Sequence, residues 1–164
     1  MADPPTAPTT PAHALSGLRD EPSLEREQVV TALASLSLPL MWTLRQRAMQ
    51  VYEPFGVRPT RVLLMELVTR GVDQPKVIAE MLEAVPPAVT AMVNELTAKG
   101  WLARESDNDD RRRVRLRLTS AGDTALHDMR LAWHAASRAD LEHFDLGDLR
   151  AVLRVFGELL ETRS

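Results

Sequence analysis

The arginines of this chain are concentrated in one short stretch. Six of them fall between positions 104 and 117, where they outnumber the acidic residues by two, although the whole chain carries a formal net charge of -3. A guanidinium group presents its N–H donors as a planar fork that matches two phosphate oxygens at once. The stretch therefore favours binding to a polyanionic backbone. Arginines can also serve only to keep an exposed strand soluble, and these residues alone leave that interpretation open.

Two runs of alternating residues flank the arginines and predict the element that presents them. Residues 101–104 form the first run, and in the second, 114–118, apolar and charged residues alternate with the two-residue period of a half-buried strand. Residues 105–113 between them are rich in serine, asparagine and aspartate, which favour turns. The pattern predicts a β hairpin whose leucines face inward and whose arginines face outward.

Three amphipathic helical segments precede the hairpin, each ended by a stop signal. Thr60 and Asp73 are expected to cap the first two, and Gly71 follows the end of the first. The third begins at Pro86 and ends near Lys99. The apolar positions that we expect to be buried are Leu63, Leu64, Leu67, Val68, Ile78, Met81, Leu82, Val89, Met92, Val93 and Leu96. Two helices joined by a short turn and followed by a hairpin predict a winged helix-turn-helix, whose second helix enters the major groove of DNA.

Two strings of residues resemble a known family. Residues 110–122, DRRRVRLRLTSAG, resemble the wing signature of the MarR (multiple antibiotic resistance regulator) family, in which Asp-x-Arg precedes an alternating strand and Leu-Thr-x-x-Gly. Residues 94–102, NELTAKGWL, are similar to the end of that family's recognition helix. The resemblance extends in pattern over residues 24–162. It implies a homodimeric transcription factor, usually a repressor, that binds a near-palindromic operator in the cytoplasm and releases it when a small ligand binds.

The resemblance assigns roles to particular residues of the wing and the recognition helix. Arg112 matches the arginine that reaches phosphate or the minor groove, and Asp110 matches the aspartate that orients the loop. Residues 77–98 contain no lysine or arginine, so we expect salt-dependent affinity driven by the wing, with modest base discrimination. The candidate contacts to double-stranded DNA are Pro87, Ala88, Thr90, Ala91, Asn94, Asp110, Arg111, Arg112, Arg113 and Arg115. The alternative is a winged-helix protein-interaction module without sequence-specific DNA binding.

Two further helices are predicted after the hairpin. Thr119 is expected to cap the first, which runs from Ser120 to about Ala139, and Gly122 is expected to permit close packing in its first turn. Asp145 resembles the start of a capping box for the second. The apolar positions of the two helices are Ala121, Ala125, Leu126, Met129, Trp133 and Ala136, then Leu149, Val152, Leu153, Phe156, Leu159 and Leu160. We expect this apolar stripe to be buried against a partner subunit or against the N-terminal helices. The resemblance favours burial against both, as interleaved terminal helices.

The predicted fold class is mainly α with a small β hairpin. Residues 1–23 hold five of the eleven prolines and predict a disordered tail. Residues 24–57 are expected to form N-terminal dimerisation helices, in which Pro39 either sits within one helix or lies in the first turn of a second helix capped by Ser37; we prefer the second helix. Residues 58–119 then form the winged helix-turn-helix DNA-binding lobe, and residues 120–164 form the C-terminal dimerisation helices.

Other classes of function have little support in the sequence. There is no Gly-rich phosphate loop, no Gly-x-Ser-x-Gly and no cysteine, so we expect no enzyme and no cofactor. His127, Asp128 and His134 could join a metal site across a dimer, but solvated or packed histidines are the better interpretation. No segment approaches about 18 unbroken apolar residues, so we expect neither export nor membrane insertion.

Aromatic residues are the candidates for an effector site. The resemblance implies a ligand cleft between the DNA-binding lobe and the dimer helices. Aromatic rings beside one arginine would suit a small aromatic carboxylate or phenol there. The residues that could line this cleft are Trp42, Arg45, Tyr52, Phe55 and Trp133. Alternatively, Trp42 and Tyr52 are core residues on the apolar stripe of a helix.

Overall fold

The computed structural model of the chain describes residues 25–106 and 114–161. The predictions for the N-terminal tail, and those for Asp110, Arg111, Arg112 and Arg113, lie outside these residues. In chain order the described elements are α1 (Arg26–Tyr52), a 3-10 turn (Glu53–Phe55), α2 (Pro59–Thr69), α3 (Pro75–Met81), α4 (Pro86–Ala98), β1 (Leu102–Ser106), β2 (Val114–Leu118), α5 (Ser120–Leu141) and α6 (Leu146–Glu161). The mainly α fold with a small hairpin is confirmed. The chain divides into two compact units after Arg47.

Helix α1 supplies most of the described part of the first unit, continues into the second, and runs unbroken through Pro39. The preferred prediction, a second helix capped by Ser37, is therefore wrong. The Ser37 hydroxyl donates to the carbonyl of Ala34 at 2.7 Å, so it bonds back into the helix instead of ending it. Proline removes a single backbone donor, and the continuous bonding of a 27-residue helix outweighs that loss.

The core of the second unit lies where α2, α3, α4, the hairpin and α5 meet. Most predicted core positions are buried there, namely Leu64, Leu67, Val68, Ile78, Val89, Met92, Val93 and Leu96. Two predictions are wrong, because Leu63 is 49% exposed and Met81 is 56% exposed. Met65 and Ala79 are buried instead. Helices α2 and α3 pack against neighbours on more than one side. Their buried faces therefore differ from the faces predicted from the most apolar residues.

Asp73 does not cap α3, contrary to the prediction. The residue before the helix is Gln74, and no side chain caps its N-terminus. The Asp73 carboxylate instead pairs with Arg115 Nη1 at 2.9 Å, and its carbonyl accepts a hydrogen bond from the Leu116 N–H at 2.8 Å. Thr60 likewise lies inside α2, whose capping position is Arg58. Asp73 therefore fastens the connection between α2 and α3 to strand β2.

Gly71 and Gly100 end α2 and α4 in the same way. Both have positive φ, 86° and 72°, which a residue without Cβ adopts without strain. After α2, the Val72 N–H donates to the Leu67 carbonyl at 3.0 Å, and Trp101 makes the equivalent bond after α4. These are Schellman ends, and they confirm the predicted role of Gly71. They also fix the direction in which the chain leaves the recognition helix towards the hairpin.

Strands β1 and β2 pair antiparallel, with Leu102 opposite Leu118 and Arg104 opposite Leu116. Leu102, Leu116 and Leu118 are buried, which confirms the inward direction of the leucines. The first strand begins at Leu102 rather than at Trp101. The hairpin therefore closes one side of the core of the second unit.

Thr119 and Gly122 hold the start of α5 against the hairpin. The Thr119 hydroxyl accepts a hydrogen bond from the Gly122 N–H at 3.0 Å, which confirms the predicted cap. A Cβ at Gly122 would overlap the carbonyl of Trp101, so the predicted close packing is confirmed too. Ala121, which belongs to the predicted apolar face of this helix, is exposed.

Helix α6 begins with the predicted cap, since Asp145 Oδ1 accepts a hydrogen bond from the Asp148 N–H at 2.9 Å. Its apolar stripe is largely exposed in this single chain, with Leu153 at 73% and Leu160 at 74%. Of the helices in the described ranges, none alone is long and apolar enough to cross a membrane. The bent pair α3 and α4, with 116° between them, meets that test only by joint length and composition.

Candidate nucleic-acid interface

Helix α4 has one face in the core and one face in solvent. Its buried face, from Val89 to Leu96, anchors it beneath the hairpin and α3. The five residues predicted to contact DNA are all on the exposed side, namely Pro87, Ala88, Thr90, Ala91 and Asn94. The Thr90 hydroxyl donates to the Pro86 carbonyl at 3.1 Å, so its donor is used within the helix. With these five residues the helix presents small side chains and one amide to a partner.

The amide of Asn94 does not stand alone on this face. Arg104 Nη2 donates to Asn94 Oδ1 at 2.5 Å, which joins β1 to the exposed side of α4. Arg104 follows Leu102 by two residues, so both side chains lie on the side of the hairpin that faces α4. The outward direction predicted for the arginines is therefore wrong for Arg104. The two-residue period counted from Leu102 would have revealed this placement.

Glu95, the acidic residue in α4, forms an ion pair with Arg61 of α2. Arg61 donates to its carboxylate from Nε at 2.8 Å, and Arg61 Nη2 lies 2.7 Å from the same oxygen. Both side chains are partly buried, at 21% and 35% exposure. A carboxylate on a DNA-facing helix would repel phosphate, and this ion pair reduces that repulsion.

The outward arginines of the hairpin are also paired. Arg115, one of the predicted DNA contacts, lies against Asp73, and Arg117 donates to Glu105 across the two strands. Both pairs lie at the surface, where ion pairs exchange readily with other anions. Arg115 thus lies against the connection between α2 and α3, whereas the arginines at 111–113 fall outside the described residues.

The predicted effector residues are divided between the two units. Trp42 and Arg45 are exposed on α1 in the first unit. In the second unit, Tyr52 and Trp133 stack with ring centroids 6.1 Å apart, and Phe55 packs against the same cluster. Burial raises the pKa of the Tyr52 phenol, and the nearby charge of Glu66 raises it further.

The histidines of α5 include two of the residues that the sequence offered as candidate metal ligands. Within residues 25–106 and 114–161, no three His, Asp or Glu side chains come close enough together to hold a metal ion. His127, Asp128 and His134 are all exposed on α5.

Helices α3 and α4, the hairpin and the close start of α5 define a winged helix-turn-helix protein. Residues 60–114 match the MarR family model. Over 85 residues the chain is 34% identical to the HTH-type transcriptional repressor MdtR of Bacillus subtilis (strain 168), covering 51% of this chain and 55% of that protein. The chain therefore spans about half the length of this curated relative. These matches confirm the predicted resemblance to the MarR family over this part of the chain.

Solved structures show the same fold. A MarR family protein from Bacillus stearothermophilus superimposes with a TM-score of 0.74 at 18% identity, covering 85% of this chain and 99% of that one. The YusO protein from Bacillus subtilis gives a TM-score of 0.64 at 22% identity, over 84% of this chain and 99% of that one. At these identities the likeness concerns the fold alone.

Proposed function

We propose that this protein is a DNA-binding transcriptional regulator, a ligand-responsive repressor that binds a near-palindromic operator as a homodimer in the cytoplasm. The observation that carries the proposal is helix α4, which is anchored by its apolar face while its opposite face is exposed beside the arginine-rich hairpin. The curated relative, an HTH-type transcriptional repressor, supports it. These findings favour DNA binding over the protein-interaction module, and the proposed function includes no catalysis.

The homodimer is supported by the apolar stripe of α6. Leu153, Phe156 and Leu160 are each more than half exposed in the single chain. Burying one such side chain contributes about 1.5 to 3 kcal/mol, so a second copy of the same stripe gives a strong driving force for pairing. Two copies would place two α4 helices in successive turns of the major groove, and the operator would share their twofold symmetry.

For the effector we propose a small aromatic acid or phenol. The stacked rings of Tyr52 and Trp133 support this proposal, and Phe55 packs against the core of the same unit. Tryptophan fluorescence in the presence of salicylate-like compounds tests this site, and loss of DNA binding at the same concentrations would link the ligand to regulation.

The function is tested by mobility shift with the DNA upstream of the protein's own gene. We expect wild type to retard it, with an affinity that falls as salt rises, at a log-log slope of about -0.9 per neutralised phosphate. Arg112→Ala and Arg113→Ala should each weaken binding and make that slope shallower. Arg138→Ala, which removes the same charge from exposed α5, is the matched control and should bind as wild type. A flat salt slope, or no shift in dilute buffer, would contradict the proposal.

A further inference from the structure

We infer that Arg104 and Asn94 act together as the base-reading pair of this protein and select guanine in each half-site. This inference rests on the DNA-binding function proposed above. It identifies the specificity-determining residues on a recognition helix that carries no cationic side chain of its own. It also assigns a role to an arginine outside the tip of the wing.

The placement of Arg104 follows from the register of the hairpin. Its position on β1 is opposite Leu116, and Leu102 precedes it on the same side of the strand. Leu102 and Leu116 are buried on that side, whereas Arg104 is exposed. Its guanidinium therefore reaches the exposed face of α4, where Nη2 donates to Asn94 Oδ1 at 2.5 Å.

This hydrogen bond determines what the pair can recognise. An asparagine that reads adenine uses its oxygen to accept from N6 and its nitrogen to donate to N7. In this protein the oxygen of Asn94 already accepts from Arg104. The amide nitrogen and the remaining guanidinium N–H groups are all donors. Guanine presents two acceptors, O6 and N7, in the major groove, so it is the base whose edge fits this pair.

The predicted contact residues next to Asn94 on α4 offer few donors for base edges. Pro87, Ala88 and Ala91 have no polar side-chain atoms, and the Thr90 hydroxyl donates to its own helix. They leave room for the DNA to approach closely, and their methyl and methylene groups suit thymine methyls. Asn94 and Arg104 supply an amide and a guanidinium group on this exposed face as donors for base edges.

Arg104 also differs from the other arginines of the hairpin in its partner. Arg115 and Arg117 pair with the carboxylates of Asp73 and Glu105. The partner of Arg104 is a neutral amide, which orients the guanidinium without cancelling its charge. A cationic fork held in place by a neutral group is suited to the two acceptors of guanine, since less of its freedom is lost on binding.

The inference is tested by selection from a random-sequence duplex library with the full-length protein. Wild type should enrich guanine at one symmetric pair of positions. Arg104→Ala and Asn94→Ala should both lose that preference at the same positions. Arg104→Lys keeps the charge but not the planar fork, so it should retain salt-dependent affinity and show a weaker guanine preference than wild type. Arg117→Ala, which removes an exposed charge from the other strand, is the matched control and should keep the wild-type preference.

A second measurement uses the selected duplex with 7-deazaguanine at the assigned position. Removing the N7 acceptor should weaken wild type by roughly 5- to 150-fold and leave Arg104→Ala almost unchanged. Thermal unfolding of each variant is compared with that of wild type. An unchanged unfolding temperature shows that a loss of guanine preference does not result from misfolding.

Distinct results overturn the inference and the proposed function. If Arg104→Ala weakens all sequences equally with unchanged base preference, Arg104 contacts phosphate and the inference is wrong. Selection of adenine at the Asn94-dependent position would also contradict it. In both cases DNA binding stands. If wild type enriches no sequence and retards no duplex at low salt, the proposed function itself fails, and the inference with it.

Discussion

Arg130 on α5 donates from Nε and Nη2 to the two carboxylate oxygens of Glu66 on α2, each at 2.7 Å. This bidentate pair joins the first helix of the winged-helix lobe to the long helix that follows it. The hydrogen bonds from Arg130 lower the pKa of Glu66 despite its partial burial, and the charges of Arg130 and Arg70 act in the same direction. The pair is therefore a defined electrostatic link within the second unit.

Replacing Glu66 with glutamine should destabilise the protein at neutral pH but not in acid. The folded-state pKa of Glu66 lies below its unfolded value, so its stabilising contribution is fully present above about pH 4.3 and is lost as the pH falls through the folded pKa. Since Arg130 is 44% exposed, we expect a loss of about 1 kcal/mol. Urea unfolding of wild type and Glu66→Gln at several pH values measures it. A difference that stays constant down to about pH 3 would exclude this linkage.

Tyr52 should titrate above its ordinary pKa of about 10. Because it is the chain's one tyrosine, the absorbance of tyrosinate reports on this side chain alone. Burial is the larger cause of the shift, so Glu66→Gln should lower the midpoint only part of the way. The raised folded-state pKa also means that stability is present below about pH 10 and is lost as the pH rises through the folded value. A midpoint near 10 in the folded wild type would show that the phenol is solvated.

Gly122→Ala should destabilise the lobe by about 3 kcal/mol. The added Cβ would overlap the Trp101 carbonyl, which cannot retreat easily because it accepts a hydrogen bond from the Thr119 N–H at 3.0 Å. Gly157→Ala is the control, since nothing lies within 4 Å of a Cβ there, and a helical alanine should add about 0.5 to 1 kcal/mol. Thermal unfolding compares them, and equal effects of the two substitutions would disprove the close approach.

Leu153→Lys should shift the protein from dimer to monomer. Leu153 lies in the middle of the exposed apolar stripe of α6, and a lysine there would place a charge in the proposed interface. We expect the dimer to dissociate roughly 10- to 100-fold more readily, as measured by sedimentation equilibrium. Ala151→Lys adds the same charge to the opposite side of the helix and should leave the dimer intact. Equal dissociation in the two variants would argue against this stripe as the interface.

The interface on α4 could be predicted in part from the sequence. The apolar period of residues 86–98 places Pro87, Thr90 and Asn94 on the exposed side, and the structure has them there. The hydrogen bond from Arg104 to Asn94 was not predicted, because it depends on how the hairpin lies against the helix. The number of arginines in residues 104–117 predicted a local positive charge. The register of the two strands determines on which side of the hairpin each arginine lies.

The sequence by itself determined the features that depend on neighbours along the chain. Gly71 ends a helix because of its own φ, and Thr119 and Asp145 cap helices whose amides lie three residues away. Only the tertiary structure decided that Asp73 binds the wing and that Glu66 meets Arg130, 64 positions later. Such partners depend on which faces of distant elements pack together. Burial of apolar area determines that packing, and the polar residues at the edge of the core pair according to where it places them.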